Sequence, residues 1–191
     1  MPQYPIIATV HEIWAINPGN KQRLKIGHAK NRVLDLYTSN RCIYHANETI
    51  AKNSKSVSRG NHKVTQNFDF NYVTIYDTIS GKSVRTAYPD GQQSLPMEER
   101  LMELDFSFFK DGDSLKYQLN GVDHLLFEKI NGSCVPDETL IVEGNRVYYD
   151  GKRIVKFDQE ILHFGVVDAR EFQRIVRRKN QKLYKRLKSF V

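Results

Sequence analysis

The chain has little cysteine. Its two, Cys42 and Cys134 among 191 residues, match no metal or redox spacing and build no disulfide framework, so a reducing, intracellular, cytoplasmic setting is expected. No apolar run approaches the roughly 18 residues that a membrane span requires. The opening "MPQYPIIATVHEIW" places no basic stretch ahead of an apolar one, which argues against a secretory leader. Three loop motifs are also missing: GxxxxGK[ST] and GxGxxG, which cradle phosphates, and GxSxG, which presents a nucleophilic serine. The six histidines and two cysteines fall at no zinc spacing. These absences leave a soluble globular chain with no resident cofactor expected. Its 40% hydrophobic and 27% charged content is ordinary, and its length allows a real core.

Charge is present, and it is segregated. Residues 1–65 hold ten Lys or Arg against three Asp or Glu, residues 66–167 ten against seventeen, and residues 168–191 nine against two. The order is +7, −7, +7, and the final 24 residues alone match the net charge of the whole chain. Basic ends of this kind point to a polyanion partner, most often nucleic acid, DNA or RNA. The competing reading docks the basic ends on an acidic surface, either the chain's own middle or another protein.

Four segments follow from composition and punctuation: a basic hairpin–helix segment over 1–50, a basic loop over 51–66, an acidic β meander with one helix over 67–167, and a basic helix over 168–191, together one domain. "IIATVHEIWAI" reads as a strand, "NPGN" as a turn and "RLKIGHA" as its partner. "NRVLDLYTSN" suits a short helix. "AKNSKSVSRGNHKVTQ" is polar, basic and aperiodic, which predicts a loop. "LPMEERLMELDFSFF" predicts a helix capped by Ser94, with Pro96 in the first turn and Glu98 and Glu99 at its positive end. Between Asn120 and Gly151 three Asn-Gly or Asp-Gly dipeptides separate alternating apolar runs, the cue for tight hairpins whose turn residues take φ > 0. The fold class expected is α+β: mostly antiparallel β meander, a few helices, and a basic C-terminal amphipathic helix.

That terminal helix begins at "DARE", where Asp168 is the N-cap and Glu171 sits three residues on. At 100° per residue, Phe172, Val176, Leu183, Leu187 and Phe190 form one narrow stripe, interrupted at Lys179 and Asn180. Arg170, Arg174, Arg178, Lys182, Lys185 and Lys188 take the opposite face, flanked by Arg177 and Arg186. Like charges at i,i+4 weaken a helix unless an anion relieves them. Phosphates are such an anion, and arginine's planar fork suits them. A lipid surface ranks below nucleic acid, because the apolar edge is narrow and carries no Trp.

Three patterns resemble nucleases. "PDETLIVEGNRVYYDGK" resembles the PD-(D/E)xK arrangement, which implies Asp137 and Asp150 as carboxylates on Mg²⁺ and Lys152 orienting the attacking water. The same "YYDGKR" also reads as a plain hairpin turn. "VDHLLFEKINGSCVPDETL" is similar to the HNH pattern, which implies Asp123 as metal ligand and His124 as general base, although strand-like "TLIVEGNRVYY" stands where that family has a helix. "HEIWAINPGNKQRLKIGHAKNRVLDLY" resembles the GIY-YIG hairpin, with His11, Ile13 and Trp14 in the strand where that family has a tyrosine. Lys25, His28 and Arg32 form a basic cluster there, suited to phosphate contact without cleavage.

The leading expectation is a nucleic-acid-binding protein that grips phosphates through Lys25, Arg32 and the terminal cations Arg170, Arg174, Arg177, Arg178, Lys182, Lys185, Arg186 and Lys188. The alternatives are a Mg²⁺-dependent endonuclease using Asp137, Asp150 and Lys152, and a non-enzymatic protein-binding or inhibitory protein.

Overall fold

The computed structural model describes residues 2–39, 42–50, 54–59, 62–67, 71–87, 105–130 and 138–191. Apolar residues occupy both parities of "IIATVHEIWAI", which calls for a sheet covered on both faces. The chain satisfies this with β1 (Gln3–Thr9), β2 (Glu12–Ile16) and β3 (Arg23–His28), joined by β16 (Ile161–Asp168) in the antiparallel order β16-β1-β2-β3. Ile6, Ala8, Ile13, Ala15 and Leu24 are buried on one face. Ile7, Ile16 and Val166 are buried on the other, beneath a three-stranded meander of β13 (Leu140–Glu143), β14 (Arg146–Tyr149) and β15 (Lys152–Lys156). Each fully buried Ile contributes about 1.5–3 kcal/mol relative to exposure.

The first run is therefore two strands, not one. It reverses at Val10 and His11, with Ile7 opposite Trp14 and Ala8 opposite Ile13. No glycine or proline marks this turn, because its carbonyls are satisfied from further along the chain. Ala29 N donates to His11 O and Val33 N to Val10 O, each at 2.7 Å.

A second antiparallel sheet takes β4 (Val33–Thr38), β5 (Ile43–Ile50), β8 (Asn71–Asp77) and β9 (Ser83–Ala87) in that order. The helix expected over 31–40 is thus β4, with Leu36 opposite His45 and Tyr37 opposite Tyr44. Ten residues are marginal for a helix without tertiary support, and here β5 supplies the ladder instead. The loop expected over 51–66 contains a hairpin of β6 (Ser54–Arg59) and β7 (His62–Asn67), with Val57 opposite Val64. Polarity argues against burial, but backbone pairing needs no apolar side chains.

A meander of β10 (Phe106–Asp111), β11 (Ser114–Leu119) and β12 (Val122–Phe127) covers the second sheet. Phe106, Leu115, Tyr117 and Leu119 meet Tyr37, Tyr44, Ala46, Val73 and Ile75 in its core. Most of the helix expected over "LPMEERLMELDFSFF" lies outside the described residues, but its end, Phe106–Phe109, is strand. Phe106 stacks on Tyr117 at 5.7 Å, and Gly112 turns the hairpin with φ 58°. The expected tight turns stand at Asn120-Gly121 (φ 50° and 79°) and Asp150-Gly151 (49° and 68°); Asn131-Gly132 lies outside the described residues.

The single terminal helix is corrected to two, α1 (Ala169–Lys179) and α2 (Gln181–Leu187). Asp168 caps α1 as expected, accepting from Glu171 N at 2.8 Å. Asn180 leaves helical space (φ −141°, ψ 87°), and its side chain accepts from Leu183 N at 3.0 Å as a second N-cap. This corner lets Phe172 and Val176 on α1, and Leu183, Leu187 and Phe190 beyond it, all bury in the core over β1–β3. The "NPGN" turn fastens the end, because Asn17 and Asn20 Nδ2 both donate to Phe190 O at 3.0 and 3.3 Å.

Candidate functional site

With their apolar sides buried, α1 and α2 leave their cations outward. Arg170, Arg174, Arg177 and Arg178 recur at helical spacing on one face of α1. With Lys188, just past α2, they line an open cleft of about 650 Å³ to which no Asp or Glu side chain contributes. Glu171 binds Arg174 through both carboxylate oxygens, the Nε contact being 2.8 Å. The other four cations make no ion pair among the described residues. Arg177, Arg178 and Lys179 form the last turn of α1, where the negative end of the helix dipole offsets part of their mutual repulsion.

Tyr184 lies on the cleft wall beneath Lys188, whose Nζ is 5.5 Å from its ring centre. Gln173, also in the lining, donates to Tyr4 Oη at 2.6 Å and so ties the cleft floor to β1. Burial pushes the Tyr4 hydroxyl pKa up, with Gln173 opposing.

Lys182, Lys185 and Arg186 are exposed on α2 outside the cleft. Lys25 stands on the other face of the first sheet. Leu24 and Ile26 pack toward the helices, so strand alternation sends Arg23 and Lys25 to Trp14, at 5.6 and 5.9 Å from its ring. Lys25 also pairs with Glu12, whose carboxyl is held below its ordinary range chiefly by the Lys25 hydrogen bond. Arg32 lies 4.0 Å from Glu48, whose pKa burial raises against the pull of Arg32. The two N-terminal cations are therefore engaged locally, and Lys25 does not share a face with the cleft.

Of the nuclease-like residues, Asp137 lies outside the described residues. Asp150 occupies a left-handed turn position, and exposed Lys152 opens β15. Asp123 accepts from Gln118 Nε2 at 3.0 Å, while His124 stacks on Tyr117 at 4.8 Å within β12. His28 ends β3, exposed. Among the described residues no three His, Cys, Asp or Glu converge as cation ligands. No described helix is long and apolar enough to cross a membrane.

Two sites escaped the sequence reading. Asp35 accepts from Phe108 N at 2.7 Å, with His163 Nδ1 at 3.7 Å, where three sheets meet. Burial raises the Asp35 pKa and lowers that of His163. The second is a smaller pocket of about 400 Å³, beside the α1–α2 corner, that Tyr44, Ile75, Val84 and Phe127 help to line. Local signals do not reveal either, because each joins strands far apart in sequence. Comparison with protein-family models, curated proteins and solved structures finds no match.

Proposed function

We propose that the protein binds nucleic acid, holding backbone phosphates in the cleft formed by α1 and the end of α2. The observation that carries this reading is the concave gathering of Arg170, Arg174, Arg177, Arg178 and Lys188 with no Asp or Glu side chain in the lining. Arg170, Arg177 and Arg178 offer planar forks for bidentate phosphate contact, while the fork of Arg174 is held by Glu171. Each phosphate neutralised releases condensed counterions, so affinity is steeply salt-dependent. The cations reach outward because Phe172, Val176, Leu183 and Leu187 anchor the same helices inward.

That anchoring dictates the test. Removal of residues 168–191 would strip buried side chains from the core, so charge reversal at exposed positions is the informative change. The Arg177→Glu/Arg178→Glu variant is titrated against labelled DNA and RNA oligonucleotides by fluorescence anisotropy, with its fold checked by circular dichroism. A loss of more than about tenfold at low salt, with a shallower salt slope, is expected from losing two phosphate contacts. Unchanged affinity and slope in a folded variant would remove the cleft from the account.

A further inference from the structure

The last turn of α1 serves two cavities. Arg177 and Arg178 line the cationic cleft, whereas Lys179, the next residue, lines the smaller pocket. The corner at Asn180 is held against the β8–β9 turn. Ile79 of that turn is buried in the same core as Phe172 and Leu183, and a β-carbon added to Gly81 would lie 3.9 Å from Asn180 Nδ2. The two cavities are thus neighbours around one fixed corner.

The smaller pocket has a different chemistry. It is lined by Leu126 and Phe127 of β12 on one side and by Tyr44, Ile75 and Val84 of the second sheet on the other. Tyr44 and Phe127 meet there with ring centres 5.3 Å apart, tilted by 35°. Ile75 and Val84, directly opposite in the ladder, supply an aliphatic wall. Val84 is 51% exposed and Phe127 39%, so apolar side chains stand open to solvent at the cavity mouth. The pocket's one carboxylate, Asp77, is engaged by its own turn. It accepts from Ile79 N at 3.0 Å, Ser80 N at 3.3 Å and Ser80 Oγ at 2.6 Å. Lys82 and Lys179, both exposed, are the cations of the rim and have no ion pair among the described residues.

We infer that the polynucleotide bound here is single-stranded, its phosphates lying in the Arg170–Lys188 cleft and one unpaired base entering the Tyr44/Phe127/Val84 pocket past Lys179. This rests on the nucleic-acid reading above and narrows it. A duplex keeps its bases stacked inside and its phosphates outside, so it can use the cleft but not an aromatic pocket one residue beyond it. A single strand presents phosphate and a free π-face at the spacing of neighbouring nucleotides, and aromatic pockets beside cationic tracks hold such bases with little sequence preference.

The test uses four probes on the full chain: a single-stranded DNA, a single-stranded RNA, a DNA duplex of the same length, and inorganic polyphosphate. Each is titrated at equal ionic strength against wild type, Phe127→Ala and Val84→Glu. Val84→Glu is the second arm because its exposed edge-strand position tolerates a charge even if loss of Phe127 loosens the meander. The wild type should favour the single strands over the duplex. Both variants should lose about tenfold or more in single-strand affinity, the range of one base–aromatic stack, while polyphosphate binding holds. A strand carrying 2-aminopurine should lose fluorescence on binding wild type and not on binding Phe127→Ala. A preference for DNA or RNA between the first two arms assigns the sugar. Equal affinity for all probes, with both variants behaving as wild type, overturns the pocket while the cleft stands. No binding of any nucleic acid to wild type at low salt overturns both.

Discussion

Gly165 tests how the two sheets are held in register beneath the helices. It lies in β16, three residues before the cap of α1, and faces Thr38 of β4. A β-carbon there would overlap Thr38 Oγ1 and come within 2.9 Å of its Cγ2 and 3.1 Å of its Cβ. Thr38 is 7% exposed and β-branched, so it has little rotamer freedom to yield. Gly165 does not occupy the left-handed region, so Gly165→Ala adds no left-handed backbone strain to the contact. Overpacking a closed site costs about 1–3 kcal/mol. Alanine recovers about 0.5–1 kcal/mol of backbone entropy. The net loss is about 1–2 kcal/mol, or roughly 2–8 °C in Tm for a chain of this size. Urea and thermal unfolding by circular dichroism measure it, and Thr38→Ala supplies the control by removing the two nearest atoms. Gly165→Ala should cost less in the Thr38→Ala background, with a coupling of about 1 kcal/mol. A Gly165→Ala protein as stable as wild type, or an equal cost in both backgrounds, refutes the close approach as the cause.

Further outcomes follow from other features. If about four phosphates fill the cleft, affinity should fall about 50-fold for a single strand and about 150-fold for a duplex between 50 and 200 mM salt; a flat salt profile would exclude a phosphate-driven complex. His45 is 2% exposed, stacks on Tyr76 at 4.8 Å, and is pushed down to about 3 by burial. Its folded pKa lies below the unfolded value, so the unfolded chain takes up its proton first and stability is lost as pH falls from about 6.5 toward 3. His45→Phe should therefore reduce the acid loss between pH 7 and 4 by up to about 3 kcal/mol in urea titrations; an unchanged loss would place the acid sensitivity elsewhere. Asn180→Ala removes the second N-cap and should cost about 1 kcal/mol by thermal unfolding, with no cost expected only if the corner were an incidental kink.

Much of this protein is written locally. Asn120-Gly121 and Asp150-Gly151 dictate their own turns, because few residues accept the left-handed backbone those positions demand. Asp168 and Glu171 mark where the terminal helical region begins. Phe172, Val176, Leu183, Leu187 and Phe190, picked out by periodicity, are all buried. The cations of the terminal segment were likewise legible, since charge is a property of residues and not of their arrangement.

What the chain could not declare locally depends on partners distant in sequence. Val33–Thr38 becomes a strand because β5 offers it a ladder, and the reversal at Val10 and His11 closes because Ala29 and Val33 return to satisfy it. A hundred-degree wheel cannot distinguish one helix from two that bury the same stripe, so the corner at Asn180 depended on the sheet beneath. Lys25 and the terminal arginines share a sign of charge but not a surface, because β3 alternates and places Lys25 beside Glu12 and Trp14. The order of residues alone determined that this protein carries segregated positive charge. Tertiary structure decided which of those cations converge, because the alternation of side chains along strands and the burial of one helix face determine which way each charge points.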